Sequence, residues 1–362
     1  MKRVAIITNI PAPYRIDFFY YLQENNKEFD FIIIYSSTKE DNREWSIDNN
    51  KIINSKFLKS LTLKIKKKED NKYIHIPYDT IKVLNEINPD VVVASEYNPT
   101  VLQALAWCKS KKRKFVSWSD GTLNSEKNIN IIQKLARKIV ISNANSYIAS
   151  SSKTKEAQIH YGAKEDKIKI SYLSVDIDKY LFVKKKYKNK NLLYVGSLIK
   201  RKGVDLLLGA LSNLDSNYRL TIVGEGPEKE NLIKQAKRLN IADNIEFVGF
   251  KEGEELKKYY KKSDIFILPT REDCFGLVLL EAICSSLVVI SSEYADGASD
   301  LIVNNESGYI VNPEDSKEFA DKIKMLIDNL ELVEEFQRKS TIFIEKFKFE
   351  NTSINFIEAI KE

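Results

Sequence analysis

Short apolar runs rich in β-branched residues alternate along the chain with longer stretches of helical periodicity. In the first half the runs at 4–8, 31–35, 91–94, 115–118 and 147–149 have the length and composition of buried strands. Helical patterns lie between or beside them at 16–22, 80–87, 100–110 and 131–140. A polar, basic break at 184–190 reads as a linker. Beyond it the alternation restarts, with strands expected at 192–195, 220–223, 245–248, 265–268 and 288–290 and charged amphipathic helices at 316–329, 332–347 and 351–360. Strand and helix in alternation predict an α/β chain of two Rossmann-like, doubly wound parallel sheets, residues 1–182 and 183–349, facing a central cleft.

The composition changes this picture little, and the charge changes it more. With 362 residues, 43% hydrophobic and 30% charged, the chain has the makeup of a globular protein. No apolar run approaches the ~20 residues of a membrane span, and Met1-Lys2-Arg3 leads straight into a strand with no cleavage site, so a cytoplasmic location is expected. Cys108, Cys274 and Cys284, with His75 and His160, form neither a disulfide framework nor a zinc pattern. Neither histidine is accompanied by a nucleophile elbow, which argues against Ser-His-Asp chemistry.

The net charge of +6 is unevenly spread. Residues 1–180 carry 30 Lys and Arg against 21 Asp and Glu, and the remainder 27 against 30. A basic first half points to phosphate, lipid headgroups or nucleic acid as partner; no nucleic-acid motif accompanies it, and nucleic acid is set aside. The densest basic segment, Leu61-Thr62-Leu63-Lys64-Ile65-Lys66-Lys67-Lys68, has the mix of stems and charges that lies on an anionic membrane surface, and also that of a solvated loop.

Candidate chemistry sits at strand ends. After residue 8 the chain reads Asn9-Ile10-Pro11-Ala12-Pro13-Tyr14-Arg15: two prolines hold the loop extended, and the glycines of a dinucleotide fingerprint are missing. Asp120, before Gly121, suits either a ligand contact or a tight turn. Gly196-Ser197 opens a loop ending Lys200-Arg201-Lys202-Gly203 before a helix, where cations and free N–H groups suit a diphosphate. Gly224-Glu225-Gly226-Pro227 turns into the next helix, with Pro227 suited to its first position. Finally Asp273-Cys274-Phe275-Gly276-Leu277 runs from a strand into a helix that carries Glu281, eight positions after Asp273.

This last segment, two carboxylates flanking Phe275-Gly276 before Ala282, resembles the signature of family 4 of the retaining GT-B glycosyltransferases. The resemblance implies a GT-B fold in which the last helix, 350–362, packs back on the first domain through Ile354, Phe356, Ile357 and Ile360. It implies that Asp273, one methylene shorter than the usual Glu and beside Glu272, bonds donor-sugar hydroxyls, and that Glu281 holds the ribose. Lys202, with Arg201 as helper, would bind the donor diphosphate; Ser197 stands where many members have arginine. Gly196, Gly224, Glu225, Phe250, Cys274, Phe275, Gly276 and Leu277 fall on the donor side, and Pro13, Tyr14 and Arg15 on the acceptor side. Asp120 occupies the region where relatives carry a histidine near the donor sugar, and of the usual glycine pair near the phosphates only Gly297 is kept. The implied reaction is retaining transfer of a sugar from a nucleotide diphosphate sugar to a glycan or lipid-linked glycan hydroxyl, without metal or other cofactor. Two other readings stay open: a nucleotide-sugar epimerase of the same architecture, and a silent nucleotide-sugar-binding subunit.

Overall fold

The apolar runs pair as parallel strands. The computed structural model describes residues 1–362 apart from 39, 41–45, 66–71, 183–186, 188–189 and 216. Most of the 184–190 segment and the lysines at 66–68 therefore lie outside the described residues. The chain divides into two units, Met1–Asp176 with Phe349–Glu362, and Ile177–Lys348.

The first unit contains strands β1 (Lys2–Thr8), β2 (Phe29–Tyr35), β3 (Ser55–Phe57), β4 (Ser60–Ile65), β5 (Lys72–Pro77), β6 (Val91–Ser95), β7 (Lys114–Ser119), β8 (Ser146–Ala149) and β9 (Ile168–Ile170). Among the described residues its sheet runs β3-β2-β1-β6-β7-β8-β9, all parallel, while β4 and β5 form a separate antiparallel ribbon. The period of two decides which helices cover which face. Val4, Ile6, Phe31 and Ile33 share a core with Phe18 and Phe19 of helix Pro13–Asn25 and with Phe356, Ala359 and Ile360 of helix Phe349–Lys361. Ala5, Ile7, Ile32 and Ile34 face the other way, onto Leu84 of helix Thr80–Ile87 and Val101, Ala104 and Leu105 of helix Pro99–Lys111.

The second unit holds β10 (Asn191–Val195), β11 (Arg219–Val223), β12 (Ile245–Gly249), β13 (Ile265–Leu268), β14 (Val288–Ser292) and β15 (Gly308–Val311), ordered β12-β11-β10-β13-β14-β15 and all parallel. Leu192, Tyr194, Ile222, Ile265, Ile267 and Ile290 pack on helices Val204–Leu211, Lys229–Arg238, Ser316–Asp328 and Leu330–Ile342. Both sheets change direction next to their first strand: β1 lies between β2 and β6, and β10 between β11 and β13. Loops leaving the carboxyl ends of the strands diverge there and open a crevice.

Several local expectations need correction. The first loop ends at Ala12, and Pro13 begins helix Pro13–Asn25, where a missing N–H costs no helical bond. Pro227 is not helical; the helix starts at Lys229 after a turn. Ile354 is exposed, so the last helix is anchored by Phe356, Ala359 and Ile360, with Ile357 partly buried against the same core. The 332–347 stretch splits into helix Leu330–Ile342 and a 3₁₀ turn, Ile344–Phe347. Strands β3 and β9, of three residues each, have a lysine at their centre, and β15 opens on Gly308, so no β-branched apolar run announces them.

Candidate active site

In the second unit the crevice lies between the loops that follow β10 and β13. The β10 loop passes through a 3₁₀ turn, Lys200–Lys202, and reverses at Gly203 (φ +70°) into helix Val204–Leu211. A Cβ on Gly203 would stand 2.0 Å from the Pro269 carbonyl oxygen, so only glycine lets the two loops approach this closely. Their backbones then join: the Arg271 N–H and the Thr270 hydroxyl donate to the Arg201 carbonyl at 2.8 and 3.1 Å, and Arg201 Nη1 donates to the Glu272 carbonyl at 2.8 Å. Arg271 adds a two-pronged pair to Asp205 at 2.8 and 2.9 Å.

Within this frame Lys202 Nζ meets Asp273 Oδ2, a pairing of residues 71 positions apart. The other Asp273 oxygen accepts from the N–H groups of Phe275 and Gly276 at 3.2 and 3.0 Å, tying the carboxylate to the start of helix Leu277–Cys284. Burial alone would raise the Asp273 pKa; Lys202, the Phe275 amide and Arg201 outweigh it and hold the group below the usual carboxylate range.

Glu281 has the opposite environment. It lies inside helix Leu277–Cys284, where Tyr260 Oη donates to Oε2 at 2.8 Å and Tyr180 supplies a second hydroxyl. Burial raises its pKa to about 7, only partly offset by those two donors. Two carboxylates on one loop-helix segment thus have their pKa values pushed in opposite directions.

The remaining donor-side candidates form the walls. Gly196 N–H donates to the Val223 carbonyl at 3.0 Å and Leu198 N–H to the Glu225 carbonyl at 2.8 Å, joining the loops after β10 and β11. A Cβ on Gly224 would lie 1.9 Å from the Gly196 oxygen. The Ser197 carbonyl accepts from Tyr194 Oη at 3.0 Å while its side chain is exposed. Glu225 is exposed and paired with Lys229 at 2.8 Å. Phe250, just past β12, is 41% exposed, whereas Phe275 is buried against Phe347. Cys274 is half-buried, and Leu277 opens the helix. The Asp296 N–H donates to the Asp273 carbonyl at 2.9 Å, which brings the Gly297 turn against the same loop.

The first unit has its own polar cluster at the ends of β6, β7 and β8. Arg15 is 5% exposed, with its guanidinium 3.6 Å over the Trp118 ring, and Nη2 donates to Asp120 Oδ2 at 2.5 Å. Arg15 is therefore a buried, paired group although it stands in the first turn of a helix. Asp120 Oδ1 accepts from Ser150 Oγ, which in turn accepts from Trp118 Nε1 at 3.1 Å. The Asp120 N–H donates to Glu96 Oε1 at 3.3 Å. Glu96, at φ +74°, is raised to about pKa 7 by burial and by the nearby carboxylates of Asp120 and Glu126. Arg137 grips Glu126 with two bonds of 2.6 and 2.7 Å. Pro13 and Tyr14 flank this cluster in the first turn of helix Pro13–Asn25.

Sequence reasoning missed Glu96, Ser150, Tyr180 and Tyr260. Glu96 had a signal: it follows an apolar strand and precedes Asn98-Pro99, the cap and first position of a helix. The tyrosines had none, being brought to Glu281 only by tertiary folding. Among the described residues no three His, Cys, Asp or Glu side chains converge as a metal site. Asp176-Ile177-Asp178 has Asp-x-Asp spacing and falls at the junction of the two units.

Comparison with known proteins places this geometry. Residues 176–360 match the family model described as glycosyl transferases group 1. An uncharacterized glycosyltransferase of Haemophilus influenzae is 32% identical over 168 residues, 46% of this chain and 47% of that protein. The N-acetylgalactosamine-N,N'-diacetylbacillosaminyl-diphospho-undecaprenol 4-alpha-N-acetylgalactosaminyltransferase of Campylobacter jejuni is 28% identical over 153 residues, 42% of this chain and 41% of that protein. The chain thus spans about half the length of the curated relatives it matches. The crystal structure of Anabaena HepE in complex with UDP superposes with a TM-score of 0.81 at 16% identity, covering all of both chains, so the fold is that of the GT-B glycosyltransferases. With just over half its length matched by the family model, this chain belongs to the glycosyl transferases group 1 family.

Proposed function

We propose that the protein is a retaining glycosyltransferase of family 4 that moves a sugar from a nucleotide diphosphate sugar to a hydroxyl of a glycan or lipid-linked glycan. The observation that carries this reading is the meeting of Lys202 with Asp273 where the strand order reverses. A diphosphate arriving at Lys202 takes over the ammonium and frees Asp273 Oδ2 to accept from a sugar hydroxyl. Arg201, braced on the Glu272 carbonyl, adds positive potential. Glu281 accepts from the ribose, with the tyrosines orienting it. Lys202 then stabilises the charge that develops on the departing diphosphate, and Asp273 and Glu281 act by positioning.

In the step itself the bond from the anomeric carbon to the phosphate oxygen breaks, and a bond to the acceptor oxygen forms on the same face. The acceptor proton passes to the leaving phosphate, so no dedicated base and no metal is required. Asp120 and Arg15 of the first unit serve the acceptor side. The UDP complex of HepE and the diphospho-undecaprenol acceptor in the name of the Campylobacter relative support a nucleotide donor and a lipid-linked acceptor.

The test is calorimetric titration with a panel of nucleoside diphosphates and their sugars, followed by anomer analysis of the product. Binding of one nucleoside diphosphate, lost in Lys202→Ala, and a retained anomer are expected. An inverted product rejects the retaining mechanism, and a new sugar epimer formed without acceptor rejects transfer.

A further inference from the structure

The charge imbalance of the first half is not explained by the crevice. Three stretches, 49–68, 97–119 and 127–155, contain no Asp or Glu and hold 18 of the 30 cationic residues of that half. In the structure they include strand β4 of the β4–β5 ribbon, helix Pro99–Lys111 and helix Ile131–Asn143. The middle helix packs against both of the others, and its Gln103 Nε2 donates to the Pro77 carbonyl of β5 at 2.9 Å.

Helix Ile131–Asn143 is unusual in what it turns outward. Ile131 is 82% exposed, Ile132 75%, Leu135 56% and Ile139 42%. At helical spacing these positions fall within one arc of roughly 100°. The exposed Lys134 and Lys138 border it, with Lys127 just before the helix. The orientation is fixed from within: Val140 and Ile141 are buried, Arg137 is locked to Glu126, and Asn130 with Gln133 forms a reciprocal cap. The ribbon repeats the pattern. Leu61, Leu63 and Ile65 share one of its faces, Ile76 pairs with Leu61, and all four are exposed. Isolated exposed apolar residues are ordinary, but two such faces bordered by lysines, one of them on a helix with no Asp or Glu, are not.

We propose that this surface docks the protein on an anionic lipid bilayer, with the isoleucine face of helix Ile131–Asn143 entering the acyl boundary and the lysines at the headgroups. A second protein would need acidic residues to answer the lysines and an apolar face to answer the isoleucines; an anionic bilayer supplies both over any area. The inference stands on this surface alone and does not depend on the transfer reaction.

The test is flotation of the full chain with vesicles of phosphatidylcholine or of phosphatidylcholine with phosphatidylglycerol, at low and high salt. Flotation is expected with the anionic vesicles at low salt and not with the neutral ones. The pair Ile131→Gln/Ile132→Gln lowers partitioning about tenfold or more, and Lys134→Gln and Lys138→Gln lower it roughly fivefold each on anionic vesicles. Leu61→Gln/Leu63→Gln gives a second, separate loss. Because these side chains are exposed, thermal melts stay at the wild-type temperature. Transfer to a water-soluble acceptor, measured in parallel, continues in Ile131→Gln/Ile132→Gln at the wild-type rate, which separates failure of docking from failure of the transferase reading. The proposal is overturned if the wild-type chain does not float with anionic vesicles, or if the isoleucine pair leaves flotation unchanged. It is equally overturned if that pair abolishes self-association in a chain that binds no vesicle, which would assign the face to a second copy.

Discussion

At the scale of single residues, the second unit contrasts two carboxylates eight positions apart. Asp273 is held ionised by Lys202 and two amides, and removing the lysine leaves a largely buried anion without its counter-charge. Lys202→Ala is expected to cost about 1–3 kcal/mol of stability, read by urea unfolding, and to lower turnover by about 10²-fold or more. Glu281 works the other way. Its folded pKa of about 7 lies above the ordinary 4.5, so the stability drawn from its protonated form is complete below that ordinary value and is lost as pH rises through 7. Glu281→Gln, neutral throughout, should therefore be more stable than the wild type at pH 8 by about 1–3 kcal/mol, with the gap closing toward pH 5 in matched urea titrations. On the proposed reading the same substitution replaces one of the two oxygens facing the ribose with an NH2 donor and should weaken nucleotide binding, so stability and affinity move in opposite directions.

At the scale of elements, the crevice depends on how closely two loops approach. Gly203→Ala would force a Cβ into the Pro269 carbonyl at a φ that side chains disfavour, and the β10 loop would have to withdraw. A loss of about 2 kcal/mol or more is expected on unfolding, together with weaker nucleotide binding, because Lys202 moves with the loop. This layer also marks the limit of what could be read from residue order. The long strands were legible from their apolar runs; Lys202, Asp273 and Glu281 were singled out by resemblance to a family signature, and the meeting of Lys202 with Asp273 is what the structure adds. The Tyr180 and Tyr260 pocket around Glu281 was not legible, since a tyrosine in a helix of Lys and Glu, as Tyr260 is, looks like any amphipathic position. Arg15 was legible as a candidate but not as a buried group, because its partner Asp120 lies 105 positions away and the stacking Trp118 two residues before that. The ribbon was read as a basic segment because its alternation of Leu, Thr, Leu, Lys and Ile is short and its apolar side faces outward.

At the scale of the whole molecule, the first unit is discontinuous in sequence. Helix Phe349–Lys361 supplies Phe356, Ala359 and Ile360 to its core, and its carbonyls accept from Lys114, Ser146 and Ser171. Removing residues 349–362 deletes at least two large buried side chains, worth about 1.5–3 kcal/mol each, and uncovers the sheet face beneath. Against a whole-domain stability of about 5–15 kcal/mol, the first unit should melt at a markedly lower temperature. The second unit should keep its own transition and its nucleotide binding, which calorimetric melts with and without nucleoside diphosphate would resolve.

The same discontinuity has a temporal side during synthesis. The segment 1–176 leaves the ribosome long before 349–362 emerges, and the whole of 177–348 is made in the interval. At cellular elongation rates that delay is roughly 10–30 s, during which Phe18, Phe19 and Trp118 lack the partner helix that finally encloses them. A nascent chain in this condition presents a sticky aromatic surface, and chaperone dependence should fall on the half of the protein that is translated first.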